Sequence, residues 1–267
     1  MIHYKTKEEI ELIRLSSLLV GRTLAAVAQE IKPGVTTAAI DKIAETFIMD
    51  NGGKPAFKGY RGFPGTLCMS PNAQVVHGIP GKYELREGDI ISVDCGVVMN
   101  GFYGDSAFTF PVGEVKPEIL KLLRVTRESL YKGLEKGIAG GRIGDISEAV
   151  QSHAEKNGFS IVRELVGHGV GKHLHEEPEV PNYGKKGSGP KLGEGLVIAI
   201  EPMVNMGKKN IRQERDGWTI TTGDGMPSAH FEHTIAVGIN KADILSSFEE
   251  IEQVLKAKNQ NFWEQEN

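Results

Sequence analysis

The sequence predicts a mixed α/β fold in which two similar halves, each made of helices followed by strands, enclose one site. Three observations predict this class. Helical segments come before short strands, a strong turn signal joins two long strands, and the same order of elements recurs about 106 residues further along the chain. Because sites often form where two such units meet, we expect the site to lie between the halves.

The first half opens with two predicted helices. Apolar residues recur at helical spacing from Lys7 to Ile31, and Pro33-Gly34 ends that pattern. A second helix is expected from Thr37 to Asn51, because Gly52-Gly53 stops it.

Strands follow, and one pair has a strong turn signal. Asn100-Gly101 is typical of a type I′ hairpin, since both central residues of that turn need a positive φ. With a two-residue turn, Met99 faces Phe102, and the numbers of any two facing residues add up to 201. The predicted strands are Thr66–Met69, Gln74–Gly78, Asp89–Met99 and Phe102–Phe110.

The second half repeats the plan of the first. Helices are expected over Pro117–Lys136 and Asp145–Asn157, and a longer strand-rich region follows them. An ancient duplication explains both the matching order of elements and four matching residues. At an offset of 106 positions these are Gly34 and Gly140, Ile40 and Ile146, Asn51 and Asn157, and Gly52 and Gly158.

The expected organisation is therefore a single domain over residues 1–245, with halves at about 1–115 and 116–245. Residues 246–267 form a charged tail with helical spacing, in which Ile251, Val254 and Leu255 share one face. Packing on the surface is the expected role of this tail, and contact with a partner is the alternative.

Composition and charge exclude several classes of protein. With 31 basic and 35 acidic residues the net charge is −4, which gives no general electrostatic footprint for nucleic acid or for an anionic membrane. The apolar stretch Leu15–Ala28 is interrupted by Arg22 and is too short for a membrane span, and residues 1–11 lack the apolar core of a signal peptide. Cys68 and Cys95 are too few for a disulfide framework, so a cytoplasmic location is expected.

Three carboxylates stand where apolar strands predict buried positions. Asp94, Glu201 and Glu232 each lie within, or at the end of, a run of apolar residues. A buried carboxylate without a partner is strongly disfavoured or takes up a proton, so each of the three needs a cationic partner. A buried Arg or Lys is one candidate partner, and a metal ion is the other.

The hairpin geometry favours metal ions over a salt bridge. With facing residues summing to 201, Asp94 lies opposite Ala107, and Asp105 is its diagonal neighbour on the same face, with the two Cα atoms roughly 7–8 Å apart. Two like charges that point into one space repel each other, whereas a pair of divalent cations fits between them. A register shifted by one residue would place the two carboxylates on opposite faces.

Histidine supplies the second ligand type. His168 stands in Gly167-His168-Gly169, where we expect the glycines to let the backbone bend so that the imidazole, rather than the chain, approaches the charged centre. One nitrogen with four carboxyl groups suits Mn, Fe, Co or Zn better than calcium. His230 and His233 flank Glu232, and strand alternation is expected to turn both away from the metals.

Five groups of motifs occur in order along nearly the whole chain. They are Val76-His77-Gly78-Ile79-Pro80, Ser92-Val93-Asp94-Cys95-Gly96 followed by Gly104-Asp105-Ser106-Ala107, Gly167-His168-Gly169-Val170-Gly171 followed by Leu174-His175-Glu176-Glu177-Pro178, Ile200-Glu201-Pro202-Met203, and Phe231-Glu232-His233-Thr234. Together they resemble the methionine aminopeptidases of type I, in their short bacterial form, within the pita-bread metallopeptidases. The resemblance implies two pseudo-symmetric α/β halves around a central dinuclear metal site.

The resemblance also implies the residues of that site. Two divalent ions would be bound by Asp94, Asp105, His168, Glu201 and Glu232, with Asp105 and Glu232 bridging both. Glu201 would also shuttle a proton, His175 would stabilise the oxyanion, and His77 would hydrogen-bond the substrate backbone. The methionine pocket would consist of Tyr60, Phe63, Cys68 and Trp218, whose aromatic and polarizable surfaces suit a thioether.

The implied activity is removal of the N-terminal methionine of nascent polypeptides when the second residue is small and the amine is free after deformylation. We expect a monomer in transient contact with the ribosome, without nucleic acid recognition or a membrane partner. Leu174 replaces an aromatic residue that is frequent in the family and predicts a looser pocket rim. Two alternatives are a proline-specific relative, which typically carries a large N-terminal domain, and a binding protein, which would lack metal ligands.

Overall fold

The computed structural model describes residues 2–263, where helices and short strands alternate along the chain. No helix within these residues is both long enough and apolar enough to cross a membrane. The helices are α1 (Lys7–Glu30), α2 (Thr37–Asp50), α3 (Pro117–Leu134), α4 (Ile143–Lys156) and α5 (Glu249–Ala257), with a 3₁₀ turn at Tyr60–Gly62. The strands are β1 (Lys54–Pro55), β2 (Leu67–Pro71), β3 (Gln74–Val76), β4 (Ile90–Met99), β5 (Phe102–Pro111), β6 (Ser160–Ile161), β7 (Val166–Gly169), β8 (Glu176–Pro181), β9 (Val197–Ile200), β10 (Met203–Asn205), β11 (Ile211–Gln213), β12 (Ile220–Thr222), β13 (Ser228–His230), β14 (His233–Ala236) and β15 (Asp243–Ile244).

The predicted helices are confirmed to within a few residues at their ends. α1 begins after Thr6, whose hydroxyl accepts the N–H of Glu9 while the Glu9 carboxylate accepts the N–H of Thr6. α2 begins after Thr36, whose side chain accepts the N–H of Ala39. These side chains satisfy N–H groups of the first turn that no carbonyl can reach, and so they fix where each helix starts.

The β4–β5 hairpin has the register that the sequence predicts. Asn100 and Gly101 have φ values of 54° and 79°, as a type I′ turn requires. Facing residues sum to 201 along the whole hairpin, so Asp94 lies opposite Ala107. Asp105 is therefore the diagonal neighbour of Asp94 on the same face of the sheet.

The strands form four sheets within residues 2–263. In the first, β4 pairs with β5 along one edge and with β1 and β2 along the other. The second half contributes a five-stranded sheet in the order β15-β14-β9-β7-β8 and a three-stranded sheet in the order β13-β10-β6. A further sheet, β11-β12-β3, contains strands of both halves, because β3 comes from the first.

The predicted internal repeat is visible in α2 and α4, whose first residues and last residues both lie 106 positions apart. Gly34 and Gly140 precede these helices with φ values of 89° and 93°. At the other ends, Asn51 and Asn157 each donate a side-chain N–H to the carbonyl four residues earlier, at 2.8 and 2.9 Å. Equivalent positions thus cap equivalent helices, which supports the predicted plan of two similar halves.

Strand β5 is where the two halves are joined. The N–H of Glu232 donates to the carbonyl of Ala107 at 2.9 Å, and the Ser106 hydroxyl donates to the carbonyl of Glu232 at 2.6 Å. The Thr234 hydroxyl donates to the carbonyl of Asp105 at 2.8 Å. Because these bonds lock the backbone of Glu232 onto the backbone around Asp105, they bring one acid of each half to the same place.

The C-terminal segment packs against the first half. α5 lies on α1, and Leu255 and Phe262 are each 1% exposed within the main core. The Lys258 ammonium donates to the carbonyls of Ala28 and Ile31 at the end of α1, at 2.6 and 3.0 Å. The predicted helix in this tail is therefore present and packs on α1, with Ile251 and Leu255 buried and Val254 partly buried. Residues 264–267 lie outside the described residues, and a domain boundary at residue 245 stays a prediction.

Candidate active site

A cavity of about 290 Å³ opens between the two halves. We call one group of lining side chains the floor: the carboxyl groups of Asp94, Asp105, Glu201 and Glu232 and the imidazole of His168. The aromatic, sulfur-containing and further histidine side chains that line the rest of the cavity are its walls. All the site residues that the sequence predicts line this one cavity: Tyr60, Phe63, Cys68, His77, Asp94, Asp105, His168, His175, Glu201, Trp218 and Glu232. The structure thus brings together side chains from both halves, although their individual roles stay a prediction.

Three of the predicted metal ligands converge most closely. Asp105, His168 and Glu232 each offer one ligand atom, and these atoms lie within 4.8 Å of one another. His168 Nε2 lies 3.8 Å from Asp105 Oδ2 and 3.6 Å from Glu201 Oε1. Asp94 and Glu201 line the same cavity just outside the tightest group.

The floor carboxylates lack the cationic side chains that a structural salt bridge would need. Within residues 2–263 no Lys or Arg nitrogen lies within 4.0 Å of any of them, and their close nitrogen contacts come from His168 and His230. Buried oxygens of Asp94, Asp105 and Glu232 have no hydrogen-bond partner. The Arg or Lys alternative is therefore wrong for these acids.

Burial governs the protonation of the same acids. It raises the pKa of Asp94 to about 7. Burial, and after it the charges of neighbouring carboxylates, raise the pKa values of Asp105, Glu201 and Glu232 well above their ordinary range. Such a cluster is costly when ionised alone, and divalent cations would remove that cost. The unpartnered oxygens and the mixed oxygen and nitrogen donors fit a transition metal or zinc.

His168 is held in the form that a metal ligand needs. Its Nδ1–H donates to the carbonyl of Gly169 at 2.9 Å, which leaves the lone pair on Nε2 free. Burial lowers the pKa of the ring, so the imidazole is neutral. The flanking glycines permit the close approach of neighbouring strands, because a Cβ on Gly167 or Gly169 would lie 2.3–2.4 Å from a carbonyl oxygen of Ala199 or Glu177. Glycine is needed at both positions because of these close contacts with neighbouring strands, and not because the chain bends there as expected.

His175 lies on the wall beside the floor. Its Nδ1 is 3.0 Å from the Tyr60 hydroxyl, and its ring lies 4.2 Å from the ring of His168, measured between centroids. Burial lowers the pKa of His175 to about 3. The ring is therefore neutral near pH 7, and one of its two nitrogens carries a proton that can be donated in a hydrogen bond.

The side chains predicted to form a methionine pocket make up the rest of the wall. Phe63 meets Trp218 edge to face with ring centroids 5.2 Å apart, and Trp218 meets His77 at 6.4 Å. Cys68 faces Asp94 across the β2–β4 pair, which places the pocket directly beside the floor. Burial, and then the charges of Asp94 and Asp105, raise the pKa of the Cys68 thiol well above its ordinary value, which keeps the thiol protonated.

His230 is the residue that sequence reasoning placed wrongly. Its ring is 1% exposed, its Nε2 lies 3.8 Å from Glu201 Oε2, and neither ring nitrogen has a hydrogen-bond partner. The expectation assumed one continuous strand, but β13 ends at His230 and β14 begins at His233, so alternation does not relate His230 to Glu232. His233 does point away, because its Nδ1 contacts the Ser246 hydroxyl at 2.6 Å and its ring stacks on Phe248.

Arg61 and Glu164 are lining residues that no motif indicated. Both are exposed and both line the cavity together with the predicted set. Arg61 has a positive φ of 49° and lies over the Tyr60 ring at 5.4 Å. Neither residue lies within a strand pattern, and the sequence therefore gave no signal for them.

Comparison with known proteins decides the family. The sequence model of metallopeptidase family M24 matches residues 11–238 of the chain. The chain belongs to metallopeptidase family M24. Methionine aminopeptidase of Clostridium perfringens (strain 13 / Type A) is 51% identical to this M24 chain over 246 residues, which cover 92% of the chain and 99% of that relative.

Solved structures agree on the fold of this M24 chain. The crystal structure of methionine aminopeptidase from Thermotoga maritima superposes with a TM-score of 0.91 at 44% identity, covering 92% of this chain and 100% of that one. Prolidase from Pyrococcus furiosus superposes with a TM-score of 0.76 at 22% identity, covering 91% of this chain and 65% of that one, and shows the fold alone. The predicted pita-bread fold and the predicted resemblance are confirmed.

Proposed function

We propose that this protein is a metal-dependent aminopeptidase that removes the N-terminal methionine of polypeptides. The observation that carries the proposal is the layout of one cavity, in which buried carboxyl groups and His168 lie beside an aromatic and sulfur-containing wall. The proposal is further supported by a methionine aminopeptidase that is 51% identical over most of the chain.

The metal would be held by the floor of the cavity. Two divalent ions, of Mn, Fe, Co or Zn, are proposed there, because one imidazole and four carboxyl groups offer enough donors for a pair. When bound, such ions supply a water acidic enough to react near neutral pH and polarise the carbonyl of the scissile bond. The proposed ligands are Asp94, Asp105, His168, Glu201 and Glu232.

Side chains of the chain itself perform the remaining steps. Glu201 is proposed to take the proton of the attacking water and to deliver it to the leaving amine, since its carboxylate lies at the edge of the floor. When Tyr60 donates to Nδ1 of His175, the ring proton stays on Nε2 and can be donated to the developing oxyanion. His77, which also lines the cavity, is proposed to hydrogen-bond the backbone of the second residue.

The pocket selects the side chain and the floor selects the amine. Burying a methionine side chain contributes about 1.5–3 kcal/mol, which favours methionine but discriminates poorly against norleucine. A free α-amine has, in its neutral form, a lone pair that could bind one of the metal ions, whereas formylation turns that nitrogen into an amide without a free lone pair and adds bulk. Deformylation is therefore proposed to come first. A small second residue is proposed because His77 must approach the backbone there.

Hydrolysis of four matched peptides tests the proposal. Under one set of conditions, Met-Ala and norleucyl-Ala peptides are expected to be cleaved by the metal-loaded protein, and formyl-Met-Ala and Met-Leu peptides are expected to be cleaved poorly. An Xaa-Pro dipeptide serves as the control for the prolidase type of activity. Efficient cleavage of the formylated peptide, or equal rates with Ala and Leu at the second position, would contradict the proposed function.

The setting in the cell is a further part of the proposal. We propose that the protein acts in the cytoplasm as a monomer on nascent chains, in transient contact with the ribosome. The support is the substrate itself, because an N-terminal methionine first becomes available as a chain leaves the ribosome. Analytical ultracentrifugation of the protein alone tests the monomer, and co-sedimentation with ribosomes at low and high salt tests the contact.

A further inference from the structure

A buried ion pair outside the cavity joins the N-terminal segment to the residue next to His175. Lys5 Nζ lies 2.6 Å from Glu176 Oε2, and the two side chains are only 5% and 8% exposed. The two residues are 171 positions apart in the chain, and neither lines the cavity. A pair that is this well shielded has a fixed geometry that surface ion pairs lack.

Glu176 organises the segment that carries His175. Its second oxygen, Oε1, accepts the N–H of His173 at 3.1 Å, so one carboxylate ties the start of the segment to its end. Gly171 leaves the space for this arrangement, because a Cβ there would lie 2.5 Å from Glu176 Oε1 and 2.7 Å from Lys5 Cε. Burial raises the pKa of Glu176, but Lys5 and the His173 N–H outweigh it and hold the pKa below its ordinary value.

Lys5 is itself held by the strand that leads to Glu201. Its backbone N–H donates to the carbonyl of Gly195 at 2.7 Å, and Tyr4 forms an antiparallel bridge with Leu196, directly before β9. A Cβ on Gly195 would lie 2.7 Å from the carbonyl oxygen of Lys5, so glycine is needed for this contact. The N-terminal segment therefore links the residues before β9, which ends next to Glu201, to the segment that carries His175.

We propose that Lys5 is a positioning residue for the reaction. Acting through Glu176, it fixes the backbone of residues 173–176 and thereby holds the His175 ring beside His168, at the 4.2 Å that separates the ring centroids. The inference rests on the proposed function, because it concerns the residue assigned to the oxyanion. A misplacement of about 1 Å in such a donor is sufficient for a large loss of turnover.

Four variants test the inference, measured as the metal-loaded full chain. Lys5→Met and Glu176→Gln are each expected to lower kcat about 10- to 100-fold, with KM and metal affinity within about twofold of wild type. Hydrogen exchange of the His173 amide is expected to accelerate in both, because its acceptor is no longer held. Lys7→Met, which removes an exposed lysine two residues away, is the matched control and is expected to change nothing.

The double variant Lys5→Met with Glu176→Leu separates positioning from stability. It leaves no unpaired buried charge, so its Tm is expected to recover to near the wild-type value. Its kcat is expected to stay as low as in the single variants, since nothing then ties His173 to residue 176. Recovery of kcat together with Tm would show that the pair only stabilises the fold and would overturn the inference.

Further outcomes are also decisive. Unchanged kcat and unchanged exchange at His173 in Lys5→Met would also overturn the role of Lys5. If the wild-type protein releases no methionine, the proposed function fails, whereas release by the wild type with unaffected variants removes the role of Lys5 alone. If Lys5→Met does not fold, the double variant provides the same comparison of kcat with Tm.

Discussion

The floor and the walls of the cavity differ in whether their polar groups find partners within the protein. The floor gathers four carboxyl groups and leaves buried oxygens of Asp94, Asp105 and Glu232 without partners, so it is incomplete without cations. The wall is complete in itself, because His175 contacts Tyr60 and the aromatic rings pack against one another. We infer that the floor depends on a bound metal for its charge balance, whereas the wall keeps its structure in any metal state.

The largest effect expected from this contrast is that of metal removal. Chelation is expected to abolish methionine release, and added Mn, Co or Fe to restore it, because without a cation no group of the floor makes water acidic enough to react near neutral pH. Asp105→Asn is expected to prevent the restoration, since it removes a charge from the closest ligand group. Isothermal titration of the metal-free protein with the same ions, in both forms, is the measurement. Full activity in a sample shown to be free of metal would rule the mechanism out.

The difference between floor and wall can be tested on two histidines, His168 and His175, whose ring centroids lie 4.2 Å apart. His168→Ala is expected to weaken metal binding and turnover together, because its free Nε2 points at the carboxylates. His175→Ala is expected to keep nearly normal metal affinity and to lose on the order of 100-fold in kcat, as for loss of an oxyanion donor. Equal loss of metal in both variants would place His175 in the floor and not in the wall.

The two halves differ in how far the sequence predicts them. In the first half, the Asn100-Gly101 turn fixes a register over the whole hairpin, and the neighbouring positions of Asp94 and Asp105 follow from it. In the second half, His168 lies in β7, Glu201 directly follows β9 and Glu232 directly precedes β14. Local patterns single out each of these residues, but no turn or register in the sequence shows that the three meet. The contact of Lys5 with Glu176 spans 171 positions and has no local signal. Local turn chemistry specifies short-range geometry, while long-range contacts depend on the packing of the whole chain.

His230 is buried next to Glu201, and a smaller effect is expected there. Its Nε2 is 3.8 Å from Glu201 Oε2, so a small shift would allow it to donate to that carboxylate. His230→Leu is expected to lower kcat about 10-fold, because a hydrogen bond to a charged group contributes about 1.5–3 kcal/mol. His230→Gln retains a donor and is the matched control, expected to keep most of the activity. Steady-state kinetics of both variants decide the point, and equal kcat in the two would exclude a hydrogen-bonding role.

The last prediction concerns the pH dependence of the metal-free protein. The raised pKa of Asp94, about 7, means that the folded metal-free state holds a proton that the unfolded chain releases near pH 4. The stability from this group is therefore fully present below about pH 4 and is lost as pH rises through about 7. Protons and metal ions compete for the same oxygens, so metal is expected to raise Tm more at pH 8 than at pH 6. Thermal unfolding of the metal-free protein between these pH values is compared with Asp94→Asn, whose side chain is neutral throughout. Tm of the wild type is expected to fall more steeply with pH than Tm of the variant, and parallel slopes would show that Asp94 is ionised in the folded protein without metal.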